Sequence, residues 1–138
     1  MEYLPVLFRF LHIVSAVALI GGVLAWLYAL VPGLAALAPE VRTKAENAAA
    51  AGWRPLVLTS VVLLLVSGTY NFLHKTGLTP PWHAVFGVKA LLALHIFAVA
   101  IIATGQGSTK RTRQLTGVAI SGTIVILLSA VLRYLSTQ

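Results

Sequence analysis

Four histidines, His12, His74, His83 and His95, are the residues of this chain whose type and position best suit chemistry. Neutral imidazole is a common metal ligand, and it exchanges a proton near neutral pH. His12 and His95 lie inside long apolar segments, where polar side chains are costly and usually functional, whereas His74 and His83 flank a short loop. Two imidazoles that face each other across a helical bundle can hold a haem iron at both axial positions. We therefore predict that His12 and His95 are the axial ligands of haem b.

Long apolar segments surround these histidines and must position them. Charged residues make up 9% of the 138 residues and hydrophobic residues 59%, whereas about a quarter of the residues of a soluble domain are charged. A helix needs about 20 mostly apolar residues to cross a bilayer, and four segments approach that length: Leu11–Pro32, Pro55–Leu73, Ala84–Thr104 and Leu115–Leu132.

The pattern predicts an all-α fold, an integral membrane four-helix bundle with up-down-up-down topology. It forms a single domain over residues 1–138 and has helices at roughly 4–32, 50–74, 82–104 and 113–135. Because short connections make neighbouring helices antiparallel, residues 33–54 and 105–114 lie at one end and both termini at the other.

The basic residues predict the orientation of this bundle. Six Lys or Arg residues fall in the connections 33–54 and 105–114, and such residues favour the cytoplasmic side. We predict a bacterial inner membrane protein with both termini outside. The net charge of +7 then reflects topology and anionic headgroups, and nucleic-acid binding is not expected.

The depth of the two buried histidines can be counted along the predicted helices. With 1.5 Å per residue, His12 lies about 12 Å and His95 about 17 Å from the outer end, so the two rings are placed at comparable depth. Ser15 shares the helical face of His12, and its small side chain leaves space for a flat macrocycle.

Other polar residues accompany the histidines toward the outer surface. Arg9 and Lys89 either extend to the lipid headgroups or neutralise haem propionates, and the sequence leaves both interpretations open. Tyr70 and Asn71, near the outer end of the second helix, are placed to donate hydrogen bonds to the same groups.

Several chemistries are excluded by composition. The only carboxylates of side chains are Glu2, Glu40 and Glu46, all outside the apolar segments, and there is no cysteine. A carboxylate proton relay, a di-iron carboxylate site and thiolate metal sites are therefore not expected. The small residues Gly117 and Ser121 share one helix face, which is typical either of close packing inside a bundle or of a homodimer contact.

Short motifs resemble a known group of membrane proteins. The stretch Phe10–Ala16 followed by Gly21 and Gly22 resembles the first helix of CopD-like and HemJ-like proteins, as do the segment Val66–Tyr70 and a third helix that begins with Trp82 and carries Lys89. HemJ-like proteins are protoporphyrinogen oxidases associated with haem b, and the resemblance implies an axial ligand at His12 and a functional Lys89. CopD-like proteins are associated with copper uptake.

The predicted function follows from the histidines and this resemblance. We expect a haem b iron protein that acts in electron transport or in an oxidase-type, oxidoreductase reaction, with a quinone or a porphyrin as partner. The alternative is a copper or metal transport protein with ligands at His74 and His83, although the single methionine and absent cysteine leave few soft Cu(I) ligands. A third possibility is a cofactor-free subunit of a larger complex, so whether the chain is an enzyme stays open.

Overall fold

The described part of the chain consists of four helices and the short connections between them. The computed structural model describes residues 3–75, 77–106 and 110–136. We number its helices α1 (Leu4–Leu34), α2 (Pro39–Leu73), α3 (Pro80–Ala103) and α4 (Arg111–Ser136), and all four are long and apolar enough to cross a membrane. The prediction of an all-α four-helix bundle is confirmed.

Neighbouring helices in the chain are also neighbours in space. α1 packs against α2 and α3 packs against α4, while contacts between α1 and α4 and between α2 and α3 close the bundle. The short connections make the helices alternate in direction. We call the end that holds residues 3 and 136 and the 74–79 connection the termini end. The opposite end, with the 35–38 connection and the link between α3 and α4, is the two-loop end.

α1 contains a π-helical turn, Trp26–Leu30, between the α-helical parts Leu4–Ala25 and Val31–Leu34. The backbone N–H of Val31 donates to the carbonyl of Trp26, five residues back. Pro32 follows directly, and in a regular α-helix its ring would clash with the carbonyl four residues before it. The wider turn places this irregularity beside the buried side chain of Trp26.

α2 begins at Pro39, well before residue 50, where the sequence analysis placed its start. Proline suits the first turn of a helix, and the run Ala48–Ala51 has high helix propensity. The 35 residues of α2 span roughly 52 Å, which exceeds the hydrocarbon thickness of about 30 Å. Its first turns, which carry Glu40 and Arg42, therefore extend beyond the membrane.

α3 begins at Pro80, slightly before the predicted start at Trp82. The Thr79 hydroxyl accepts a hydrogen bond from the backbone N–H of Trp82 at 3.4 Å, which is the arrangement of an N-cap. At the other end of α3, the predicted connection 105–114 is shorter in the structure, since α4 begins at Arg111. Residues 107–109 of that connection lie outside the described residues.

Apolar side chains cover the outside of the bundle as well as its interior. The core consists mainly of aliphatic residues and alanines, such as Leu19, Val57, Ala100 and Leu115. Large exposed apolar surfaces mark contact with lipid or protein, and exposed large hydrophobic side chains occur on every helix, for example Val17, Val62, Leu91 and Leu127. This surface fits a lipid bilayer and defines the chain as a membrane protein.

Candidate cofactor site around His12

His12 faces α2 at the level of Ser67 and Gly68. The His12 Nδ1 atom lies 3.0 Å from the Ser67 hydroxyl oxygen, and the imidazole is half-buried while Ser67 is buried. α1 and α2 run antiparallel, so a residue near the start of α1 meets one near the end of α2. The hairpin therefore holds the ring of His12 by a hydrogen bond from a second helix.

The Ser67 hydroxyl lies within reach of two acceptors, the Nδ1 atom of His12 and the carbonyl of Leu64, and the acceptor that it uses sets the tautomer of His12. Ser67 Oγ is also 3.4 Å from the carbonyl oxygen of Leu64, one turn earlier in α2. A serine hydroxyl has one proton, and when it donates to Leu64 the oxygen accepts from the Nδ1–H of His12. In this tautomer the lone pair of the ring is on Nε2. Metal-binding histidines commonly have this arrangement, in which one ring N–H donates to a neighbour and the other nitrogen is the ligand.

Two small residues lie near the ring. A Cβ atom added at Gly68 would lie 3.7 Å from His12 Cε1, in ordinary van der Waals contact. Ser15, three residues after His12, is 2% exposed, and its hydroxyl has no hydrogen-bond partner within the described part of the chain. A buried polar group is normally paired, so the unpaired hydroxyl of Ser15 is a second polar atom available to a bound group.

Positive charge lies on the same side of the bundle. Lys89 in α3 is half-buried, and its charge is close enough to act on His12 and on Lys75. Arg9 in α1 is exposed near the termini end. Lys89 therefore lies within electrostatic range of His12, whereas the Arg9 side chain is exposed, so a headgroup or another anion can reach it.

Aromatic rings stack above the histidine at the termini end. The ring of Tyr70 lies between Phe8, at a centroid distance of 3.9 Å, and His74, at 4.0 Å. The Nδ1 atom of His74 lies 2.9 Å from the carbonyl oxygen of Tyr70 and, as an N–H, donates to it. Asn71 is half-buried in the same turn of α2. The stacking of Tyr70 on Phe8 thus packs the end of α2 against the start of α1.

His83 belongs to a separate aromatic cluster between α2 and α3. Phe72 stacks on Phe86 at 4.7 Å and Trp82 stacks on Phe86 at 5.1 Å, and the exposed His83 ring meets Trp82 edge-on at 5.6 Å. The ammonium group of Lys75 lies 5.8 Å from the Trp82 ring centroid. Predicted metal ligation by His74 and His83 stays a prediction.

His95 has different surroundings from those of His12 in the structure. It is exposed on α3, and it makes no hydrogen bond and no ring contact among the described residues. Counted from the observed helix starts Leu4 and Pro80, His12 lies about 12 Å and His95 about 22 Å along its helix. The pairing of these two histidines on one iron stays a prediction from the sequence.

A polar cluster at the two-loop end was not predicted from the sequence. Arg111 is 3% exposed; its Nε donates to the carbonyl of Ala103 at 2.6 Å and its Nη2 donates to that of Gly105 at 2.9 Å. Nη2 also donates to the Asn47 side chain at 3.2 Å. Arg54 Nη1 donates to the carbonyl of Ile101 at 2.9 Å. All of these groups have partners, so the cluster stabilises the end of α3.

The contact between His12 and Ser67 was also missed, although the sequence contains a signal for it. The two residues stand a similar number of residues from the start of the first apolar helix and from the end of the second. In an antiparallel hairpin such positions lie at the same level. Ser67 is flanked by Gly68, and small residues are typical of close helix contacts in membranes.

No family model, curated protein or solved structure matches the chain. The fold and the apolar surface define its class, an integral membrane four-helix bundle. The resemblance to CopD-like and HemJ-like proteins stays a prediction from the short motifs of α1, α2 and α3.

Proposed function

We propose that this protein is a haem b-binding integral membrane protein that acts in electron transfer or in an oxidase-type reaction, with His12 as an axial ligand. The observation that carries the proposal is the hydrogen bond between His12 Nδ1 and Ser67 Oγ at 3.0 Å. It orients the ring, and in the tautomer whose Nδ1–H donates to Ser67 the lone pair is on Nε2, as in histidines that bind metal ions.

The surroundings of His12 fit a haem in two further respects. The buried hydroxyl of Ser15 is a hydrogen-bond donor without a partner among the described residues. Lys89 brings a positive charge close to His12, which suits a propionate, and Arg9 is a second candidate for that role nearer the surface. A haem held here supplies a one-electron redox centre inside the bilayer.

The proposed redox centre indicates a class of electron-transfer partner, and the basic residues indicate the orientation of the protein in the membrane. A centre within the apolar part of a membrane exchanges electrons with a membrane-soluble molecule, for which a quinone or a porphyrin is the candidate class. The basic residues of the two-loop end, including Arg42, Lys44 and Lys110, favour the cytoplasmic side of a bacterial inner membrane. The site of His12 then lies in the half of the membrane nearer the outside.

An absorption spectrum tests the proposal. We expect the full-length protein, solubilised in detergent from haem-replete cells, to show a Soret band and visible absorption bands that change on reduction with dithionite. His12→Ala removes the ligand and abolishes these bands. Ser67→Ala retains His12 without its hydrogen bond, and loss of such a neighbour typically weakens metal affinity by about 10- to 100-fold.

Matched variants separate this site from other histidines and serines. His74→Ala and Ser129→Ala are expected to leave the haem content unchanged, because the Ser129 hydroxyl donates to the Val125 carbonyl of its own helix. We also expect His95→Ala to keep the Soret band, since His95 is exposed on α3. Loss of the band in both His12→Ala and His95→Ala would instead establish the ligand pair predicted from the sequence. A featureless spectrum from folded, haem-replete wild-type protein contradicts the proposal.

A further inference from the structure

His95 lies on a face of α3 that the bundle leaves uncovered. The residues at helical spacing on this face are all exposed, and we call them with His95 the α3 outer face: Ala84, Val88, Leu91, His95, Ala98 and Ile102. α3 is also the least buried of the four helices, since 11% of its most apolar stretch is buried, against 22% in each other helix.

The depth of His95 makes its exposure costly. It lies about 22 Å from the start of α3 and about 12 Å from Ala103, well inside the apolar part of the helix. An imidazole is too short to extend to the surface as lysine and arginine do. His95 makes no hydrogen bond with any described residue, whereas polar side chains at this depth pair with one another or face the interior of a bundle.

We propose that the α3 outer face is the contact between two copies of this chain, with His95 hydrogen-bonded to His95 of the partner subunit. Two copies with the same orientation in a membrane are related by a two-fold axis along the membrane normal. Each residue near that axis then meets its own equivalent at the same depth. A neutral imidazole carries one donor and one acceptor, so two copies of His95 satisfy each other.

The composition of the α3 outer face supports a second copy as the occupant. Lipid chains offer no hydrogen-bond partner to His95. Ala84 and Ala98 are small, and a Cβ atom added at the neighbouring Gly87 would meet nothing within 4 Å, so larger side chains of a partner helix can pack at these positions. Apart from His95 the face carries no ionisable residue, so like charges do not oppose one another.

This contact is independent of the site around His12. His12 faces α2 through Ser67, and the residues of the α3 outer face belong to another helix and another side of the bundle. The dimer is therefore testable in the full-length protein whether or not a Soret band is present. Loss of the Soret band in His95→Ala would make His95 a haem ligand and would contradict its part in the dimer contact.

Cysteine cross-linking tests the proposal cleanly because the chain has no cysteine of its own. We expect Ala98→Cys, oxidised in native membranes, to form a disulfide-linked dimer. Val17→Cys is the matched control, since Val17 is 65% exposed on α1 but lies outside the proposed contact, and it should stay monomeric. Equal cross-linking of the two variants, or products that contain only other proteins, would overturn the proposal.

Substitution of His95 tests its part in the contact. Hydrogen bonds between membrane helices are modest, so His95→Leu should raise the dimer dissociation constant in detergent about three- to twentyfold. His83→Leu, which changes an exposed histidine outside the α3 outer face, should leave this constant unchanged. A dissociation constant unaffected by His95→Leu, with the helical content preserved, would show that His95 does not mediate the contact.

Discussion

The residues that bring α1 close to α2 are small, and one of them lies directly against an indole ring. A Cβ atom added at Gly22 would lie 2.7 Å from Trp53 Nε1, closer than real Cβ contacts allow. Trp53 in turn stacks on Trp26 at a centroid distance of 5.5 Å. Because a stacked indole is rigid, Gly22 fixes the distance between the two helices.

Substitution at this position tests the contact. We expect Gly22→Ala to lower the free energy of unfolding in detergent by about 1–3 kcal/mol, the usual cost of overpacking, because the new methyl group displaces Trp53. Gly21→Ala is the matched control, since a Cβ atom at Gly21 meets nothing within 4 Å and should not destabilise the protein. Thermal unfolding followed by circular dichroism measures both variants, and equal melting temperatures would contradict the assigned packing.

At the scale of elements, the end of α3 is held by arginines from two other helices. The last four carbonyls of a helix have no partner within it, and those of Ile101 and Ala103 accept hydrogen bonds from Arg54 of α2 and Arg111 of α4. Positive charge also stabilises the negative end of the helix dipole. The guanidinium of Arg111 lies 5.5 Å from the Trp26 ring centroid, so this one side chain connects α4 with α1, α2 and α3.

Removal of the buried arginine should therefore loosen the two-loop end. We expect Arg111→Met to lower the free energy of unfolding by roughly 2–4 kcal/mol, because it leaves buried carbonyls unsatisfied. Arg111→Lys should restore only part of the loss, since an ammonium group lacks the planar fork of donors. Arg113→Met, two residues away and exposed, should change stability by no more than about 0.5 kcal/mol. Similar unfolding of the two methionine variants would exclude the proposed role.

At the scale of the whole molecule, the bundle has two chemically different ends. The two-loop end carries six of the ten Lys and Arg residues and the extension of α2 beyond the membrane. The termini end carries the aromatic stacks and the site of His12. Basic residues are retained on the cytoplasmic side during insertion, so the asymmetry predicts the orientation given under the proposed function.

Accessibility of single cysteines measures this orientation. In intact cells whose outer membrane is permeabilised, we expect a membrane-impermeant maleimide to label Lys75→Cys at the termini end. Thr43→Cys, exposed on the extension of α2, should be labelled only after the inner membrane is opened. The reverse pattern would place the two-loop end outside, and His12 would then lie in the cytoplasmic half of the membrane.

The number of helices, their alternating direction and their membrane class could be predicted from the sequence. These follow from local properties, since an apolar run of sufficient length must form a helix to satisfy its backbone in lipid. The sequence also placed His12 inside the first apolar helix, where the structure has it. The positions of the helix ends were predicted less accurately. The early start of α2, for example, depends on Pro39 and on an alanine-rich run that does not itself span the membrane.

The tertiary structure alone decided which face of each helix is covered. An apolar helix in a membrane is apolar on all sides, so its hydrophobic pattern does not show which residues face the core. For this reason the sequence could not place Ser67 against His12, bury Arg111 beneath α3, or leave His95 on the outside. Those relations depend on the rotation of each helix about its axis, which is set by close contacts such as Gly22 with Trp53.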